Sequence, residues 1–193
     1  MPAYWNGKND TNCKKMASKK IVIIGPESTG KSSLCTLLAA HFNTVCVYEY
    51  AREYLLKNGT SYTVHDLYTI AVGQIKLEEE GIDKLRNLNA DAPLIIDTNL
   101  EVIRIWSEFV FGECDNRILT SLAASKYDLY LLCKNDLPWV KDELREYPDN
   151  ETREKLFHHY KQLVVTSNIP FVIIEGNYDQ RLQLAIKAVQ GIL

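Results

Sequence analysis

The segment IVIIGPESTGKSSLCTLL, residues 21–38, constrains the fold of this chain more than any other. Its apolar start predicts a buried strand, and its apolar end predicts a helix. Between them, GPESTGKS matches the pattern G-x-x-x-x-G-K-[ST], whose glycines let successive backbone N–H groups point into a nest for phosphate oxygens. The positive end of the following helix strengthens the same field. The segment therefore predicts a phosphate-binding loop between a strand and a helix.

The side chains of this loop have distinct expected roles. We expect Lys31 to reach the β- and γ-phosphates of a nucleoside triphosphate, and the hydroxyl of Ser32 to ligate Mg²⁺. The other predicted nucleotide contacts in the loop are Gly25, Glu27, Ser28, Thr29, Gly30 and Ser33.

Short β-branched runs alternate with longer helical patterns along the rest of the chain. This alternation is typical of a three-layer α/β fold, a parallel sheet with helices on both faces. At 193 residues the chain has the length of one domain, which we expect over residues 19–193 after a flexible polar tail at 1–18. The predicted strands are 20–25, 44–50, 93–98, 127–133 and 170–176.

Composition excludes several classes of partner. A formal net charge of -3 argues against the broad basic surface of a nucleic-acid-binding protein. Apolar runs are too short to span a bilayer, and residues 1–18 contain no targeting signal. The five cysteines are odd in number and lack C-x-x-C spacing, which predicts neither a disulfide nor a zinc site. We expect a cytoplasmic protein that binds neither nucleic acid nor membrane; the oligomeric state stays open.

A carboxylate after the third predicted strand is a candidate metal and catalytic residue. In PLIIDT, Asp97 ends a buried run, and open α/β sheets bind ligands at the carboxyl ends of their strands. Asp97 is therefore expected beside the phosphates, where it holds the water shell of the metal. The alternative is that Asp97 caps the next helix.

Two further strand ends carry candidate residues. VYEYAREYL places Glu49, Arg52 and Glu53 after the second strand, on the expected acceptor side. Either Glu49 or Asp97 could take a proton from a sugar hydroxyl. The alternative for this cluster is a salt-bridged start of a helix. After the last strand, Gly176 and Asn177 could form a turn that admits adenine.

A polar segment with two prolines separates the fourth strand from the next helix. Long polar connections of this kind are often lids, and we expect a lid over residues 136–150. Arg145 is the candidate that covers the transferring phosphoryl group, and Trp139 the candidate that covers an aromatic ring of the acceptor. The alternatives are a solvated arginine and a tryptophan that anchors the lid.

A molecular switch is the main alternative to a kinase. A GTPase switch would carry D-x-x-G after the metal-binding strand and N-K-x-D after a later one. Here Asp97 is followed by TNL, and the fourth strand ends in CKND. The pattern favours transfer of the γ-phosphoryl group to an acceptor.

Together, GPESTGKS, YEYAREYL, DTN, PWVKDELR and EGNYDQR resemble the nicotinamide riboside kinase domain of the NadR family, over about residues 19–190. The resemblance implies a five-stranded sheet in the order 2-3-1-4-5. It also implies a P-loop kinase that uses ATP and Mg²⁺ to phosphorylate the 5′-hydroxyl of nicotinamide riboside, giving nicotinamide mononucleotide. Kinases of other nucleosides or small metabolites, and a nucleotide sensor, are the alternatives. The implied acceptor contacts are Glu49, Arg52, Asp97, Asn99, Trp139 and Asp142.

The sequence departs from the family pattern at two positions. Asn99 replaces the second aspartate of D-T-D, and Glu143 replaces the glycine of D-G-x-R, while Asp142 and Arg145 match. Residues 1–18 are too few for the adenylyltransferase domain of bifunctional family members, so we expect the reaction to stop at the mononucleotide.

Overall fold

The computed structural model describes residues 18–88 and 91–193, and nearly all of the predicted tail lies outside these ranges. Five strands in the described ranges pair in parallel in the order β2-β3-β1-β4-β5, which confirms the predicted sheet. No helix in these ranges is both long and apolar enough to cross a membrane. The strands are β1 Lys20–Ile24, β2 Cys46–Val47, β3 Leu94–Asp97, β4 Leu129–Cys133 and β5 Phe171–Ile174. The helices are α1 Lys31–His41, α2 Tyr50–Asn58, α3 Val64–Asn87, α4 Leu100–Phe111, α5 Asn116–Ala124, α6 Asn150–Thr166 and α7 Tyr178–Gln190.

The alternating side chains of the sheet bury two separate apolar layers. Ile21 and Ile23 of β1 pack with helices α1 and α7 on one face. Val22 and Ile24 pack with α3, α4 and α6 on the other. Because both faces are covered, the central strands are almost entirely apolar between Lys20 at the start of β1 and Asp97 at the end of β3, as expected for a buried parallel sheet. The predicted three-layer arrangement is confirmed.

The second strand is much shorter than its sequence pattern predicts. Of residues 44–50, only Cys46–Val47 form β2, since β2 lies at the sheet edge and pairs with β3 alone. The chain then turns into α2, with Glu49 at its N-cap position. Glu49 therefore lies at a strand-to-helix junction on the carboxyl side of the sheet.

The cysteines differ from the sequence prediction. Cys35 of α1 and Cys46 of β2 form a disulfide, where none was expected. Counting and spacing could not reveal this pair, because the two residues meet only when α1 returns the chain to the sheet edge. Among the other described cysteines, Cys114 and Cys133 are free thiols.

The connection between β4 and α6 is irregular, as predicted. Residues 134–149 form neither helix nor strand, and α6 begins at Asn150, where the predicted lid ends. We call residues 136–150 the lid segment.

Helix α3 positions the start of α2 through a close contact at Gly73. A Cβ atom built on Gly73 would lie 2.2 Å from the ring of Tyr50. The backbone N–H of Tyr50 also donates to Oε1 of Gln74 at 2.9 Å. These contacts fix the chain directly after Glu49.

We predict that Gly73→Ala lowers the free energy of unfolding by about 1–3 kcal/mol, the usual cost of overpacking. The sign is diagnostic, because Gly→Ala inside a helix otherwise favours the helix by about 1 kcal/mol. Urea denaturation measures the change, and a second substitution, Tyr50→Leu, should relieve part of it. A Gly73→Ala protein as stable as the wild type would contradict this packing.

Candidate active site

The phosphate loop takes its shape from residues with positive φ. Gly25 has φ +138°, and a Cβ atom there would lie 2.5 Å from the carbonyl oxygen of Cys133, so only glycine fits. Ser28 and Gly30 have φ of 57° and 78°, and Gly30 occupies the N-cap of α1. Lys31 begins α1, and its Nζ donates to the carbonyl oxygen of Pro26 at 2.8 Å. The loop thus has the curved backbone that a phosphate nest requires.

A buried arginine that sequence reasoning missed holds this loop in place. Arg181 of α7 is 2% exposed. It donates to the carbonyl oxygens of Thr29, Lys134 and Gly176 at 3.0, 2.9 and 2.8 Å. Asp136 pairs with the same guanidinium. Arg181 therefore joins the phosphate loop to the turns after β4 and β5.

One cavity of about 690 Å³ opens at the carboxyl end of the sheet, a volume suited to a small-molecule ligand. Its wall comes from the phosphate loop and the start of α1, from the β2–α2 junction and α2, from α3, β3 and α4, and from the lid segment and α6. The predicted site residues that line it are Gly25, Glu27, Ser28, Thr29, Gly30, Lys31, Ser32, Ser33, Glu49, Arg52, Asp97, Asp142 and Arg145.

Four predicted site residues do not line this cavity. Asn99 is fully buried and caps α4, where its side chain accepts from the N–H of Glu101 at 3.1 Å. Trp139 is turned toward the phosphate loop, and its indole N–H donates to Glu27 at 3.2 Å. Gly176 borders a second, more open depression beside α7, and Asn177 caps α7.

Asp97 is a buried carboxylate with spare hydrogen-bonding capacity. It is 1% exposed, and its Oδ1 has no hydrogen-bond partner within the described residues. Burial raises the pKa of Asp97, while Lys31 and Ser32 oppose part of that shift. The alternative role for Asp97 was to cap the following helix. In the structure Asn99 caps that helix, and Asp97 does not. Asp97 is left free to face a ligand.

Glu49 lies close enough to Asp97 for their charges to interact. Burial and the charge of Asp97 raise the pKa of Glu49 to about 7, although Lys31 and Arg52 pull it down. A carboxylate with a pKa near neutrality can accept a proton at physiological pH. Glu49 and Asp97 are therefore two neighbouring carboxylates with raised pKa values, an arrangement that is typical of acid–base sites.

Arg52 pairs with the lid segment and not with its neighbours on α2. Its guanidinium donates to both carboxylate oxygens of Asp142, at 3.1 and 3.0 Å. This pair lowers the pKa of Asp142. The alternative for this cluster, a local salt bridge among Glu49, Arg52 and Glu53, is not formed, and the bidentate pair joins α2 to the lid segment instead.

An aromatic wall that sequence reasoning missed closes the far side of the cavity. Trp106 and Phe109 of α4 line it together with Tyr147 of the lid segment. The rings of Phe109 and Tyr147 meet edge to face, with centroids 5.5 Å apart. The indole N–H of Trp106 donates to the hydroxyl of Tyr62 at 2.8 Å. The three-residue spacing of Trp106 and Phe109, on a helix directly after Asp97, was the available signal.

The parallel sheet order, the phosphate loop after β1 and the ligand-sized cavity at the carboxyl edge define a P-loop domain with the fold of nucleoside and nucleotide kinases. The sequence model of a family described as "AAA domain" (AAA_28) matches residues 20–181, and the chain belongs to this family.

The comparisons also confirm the resemblance to NadR. The trifunctional NAD biosynthesis/regulator proteins NadR of Salmonella typhimurium and Escherichia coli are each 26% identical to this chain, over 98% of its length and 46% of theirs. The chain thus spans about half the length of these curated relatives. A crystal structure of NadR protein in complex with NR has a TM-score of 0.74 and 23% identity, covering 92% of this chain and 51% of that one. Thymidylate kinase from Ehrlichia chaffeensis has a TM-score of 0.59 and 15% identity, covering 92% and 100%.

Asp97 should reduce the stability of the ligand-free protein. Its pKa is higher in the folded than in the unfolded state, so above both values its charge favours unfolding. We predict that Asp97→Asn raises the melting temperature at pH 8 by about 2–4 °C, or on the order of 1 kcal/mol, while turnover is lost. Calorimetry measures the shift, and the exposed Asp91→Asn should show none. A lower melting temperature with full turnover would make Asp97 structural.

Proposed function

We propose that this protein transfers the γ-phosphoryl group of ATP to the 5′-hydroxyl of nicotinamide riboside and releases nicotinamide mononucleotide. The observation that carries the proposal is a single cavity that joins the phosphate loop, through Asp97 and Glu49, to an aromatic wall. The similarity to NadR, one structure of which is a complex with NR, supports the choice of acceptor.

The charge and shape of the acceptor end suit a cationic aromatic ring. Trp106, Phe109 and Tyr147 line this end with aromatic rings, and the faces of such rings attract cations such as a pyridinium. Carboxylates also outnumber cationic side chains in the cavity wall. The acidic members are Glu27, Glu49, Glu53, Asp97, Asp142 and Glu146, and the basic members are Lys31, Arg52 and Arg145.

The pairing of Arg52 favours a nucleoside over a nucleotide as the acceptor. A nucleotide kinase needs positive charge for the phosphate that its acceptor already carries. Here the guanidinium of Arg52 donates to both carboxylate oxygens of Asp142, so the positive charge of Arg52 is already neutralised within the protein. An uncharged 5′-hydroxyl therefore suits this end of the cavity better than a phosphate.

Three charged side chains of the cavity then have defined tasks in the reaction. Glu49 accepts the proton of the 5′-hydroxyl, for which its pKa near 7 is suitable. The hydroxyl oxygen forms a bond to the γ-phosphorus as the bond to the β,γ-bridging oxygen breaks. Lys31 donates to the β- and γ-phosphate oxygens, and Arg145, which lines the cavity from the lid segment, stabilises charge on the transferring group.

The residues present fit a magnesium ion. Mg²⁺ keeps several waters and binds one or two protein oxygens besides phosphate oxygens. The unpartnered Oδ1 of buried Asp97 and the nearby hydroxyl of Ser32 supply such oxygens. A bound Mg²⁺ would neutralise charge on the phosphates.

We predict that Lys31→Ala lowers kcat at least about a hundredfold and leaves the fold intact. The fold should survive because the only hydrogen bond of this ammonium within the described residues is to the carbonyl of Pro26. Steady-state kinetics and circular dichroism measure the two properties, and the exposed Lys161→Ala should behave as wild type. Normal turnover in folded Lys31→Ala would exclude the phosphate-loop assignment.

The aromatic wall should distinguish acceptors. We predict that Trp106→Leu raises the KM for nicotinamide riboside about 5- to 30-fold, equivalent to losing about 1–2 kcal/mol of cation–π and ring contact. The KM for neutral uridine should rise less. Trp139→Leu is the comparison. Because Trp139 contacts Glu27, this substitution should change the KM for nicotinamide riboside and the KM for uridine by the same factor. A wild-type enzyme that prefers uridine would overturn the nicotinamide assignment and leave the kinase standing.

A further inference from the structure

Glu27 of the phosphate loop holds the lid segment. One carboxylate oxygen accepts the indole N–H of Trp139 at 3.2 Å and the backbone N–H of Tyr147 at 2.8 Å. The other oxygen accepts the backbone N–H of Glu146 at 2.9 Å. Beside it, Oγ of Ser28 accepts the backbone N–H of Val140 at 3.0 Å. Glu27 was expected to contact nucleotide, but its hydrogen bonds within the described residues all go to the lid segment.

The same part of the lid segment also contacts the aromatic wall. The carboxylate of Glu146 accepts the hydroxyl of Tyr62 at 3.1 Å. That hydroxyl in turn accepts the indole N–H of Trp106 at 2.8 Å, and the two rings pack with centroids 4.6 Å apart. The backbone of Glu146 therefore contacts Glu27 of the phosphate loop, and its side chain contacts Tyr62, which packs against the aromatic wall.

We propose that Glu27, Glu146 and Tyr62 are positioning residues that couple nucleotide binding to acceptor binding. This coupling rests on the proposed function only in taking nicotinamide riboside as the acceptor. Occupation of the phosphate loop strengthens docking of the lid segment, and the docked segment fixes the indole of Trp106 through Glu146 and Tyr62.

The sign of the coupling follows from charge. A nucleoside triphosphate places anionic oxygens in the loop that carries the anionic Glu27, and like charges in a partly buried site repel. Three N–H donors from the lid segment compensate Glu27 only when the segment is docked. The triphosphate therefore binds the docked state better. The acceptor does too, because Tyr147 of the docked lid segment forms part of its wall, so by linkage each ligand strengthens the binding of the other.

We call the coupling through Glu27, Glu146 and Tyr62 the relay. Amide hydrogen exchange tests its first half, the effect of nucleotide on the lid segment, without any acceptor. In the wild type, AMP-PNP should slow exchange at the backbone amides of Glu146 and Tyr147. In Glu27→Gln these amides should exchange about tenfold faster before nucleotide is added, and AMP-PNP should slow them little. The lid variant Glu143→Gln is the matched control, since Glu143 lies outside the cavity wall, and it should behave as wild type.

Titration calorimetry tests the whole relay. In the wild type, saturating AMP-PNP should lower the Kd for nicotinamide riboside at least about fivefold, the small end of allosteric coupling. In Glu27→Gln and Tyr62→Phe this ratio should fall below about twofold. Tyr68→Phe is the control for the second variant, because the ring of Tyr68 lies under Arg117 and does not line the cavity.

The outcomes separate the relay from the proposed function. A coupling ratio that is absent in the wild type, or unchanged in both variants, overturns the relay, as do unaltered exchange rates in Glu27→Gln. If nicotinamide riboside does not bind at all, the proposed acceptor is wrong, and the exchange experiment alone decides whether Glu27 couples nucleotide to the lid segment.

Discussion

The buried guanidinium of Arg181 is the contact on which the functional end of this molecule depends. It binds carbonyl oxygens from the phosphate loop, from the turn after β4 and from the turn after β5. Without it the carbonyl oxygen of Thr29 would be an unsatisfied acceptor in a buried place, which is costly, and the carbonyls of Lys134 and Gly176 would lose a partner at partly buried positions. Because the turn after β4 leads into the lid segment, one side chain of α7 sets the starting positions of both the phosphate loop and the segment that covers it.

Near the phosphate loop lie two carboxylates, Asp97 and Glu49, that do not stabilise the ligand-free protein. Asp97 keeps an unpartnered oxygen, and the pKa of Glu49 is raised to about 7 by burial and by its neighbour. Buried carboxylates near one another favour protonation or a bound cation, so the ligand-free site is electrostatically unfavourable. Such strain is typical of sites that are completed by a ligand. The charge of Lys31 offsets only part of it.

The end of the cavity that we propose for the acceptor is built by long-range contacts. Trp106 comes from a helix that follows β3, and Tyr147 from the lid segment, yet both line one cavity. The Arg52–Asp142 pair and the Glu27 contacts attach the lid segment to two different parts of the domain. The aromatic wall is therefore shaped by the lid segment as much as by the sheet, and its geometry depends on the contacts that hold that segment.

Local patterns in the sequence determined the phosphate loop, the presence of all five strands and the place of Asp97, because each depends on a few consecutive residues and on strand or helix period. The tertiary structure alone decided that Asn99 caps α4, that Cys35 and Cys46 pair, and that β2 is two residues long. It also placed Trp106 in the cavity and turned Trp139 toward Glu27. These outcomes depend on which distant segments meet in the folded chain. A motif fixes the order of its residues, but it does not fix the direction in which each side chain points after folding.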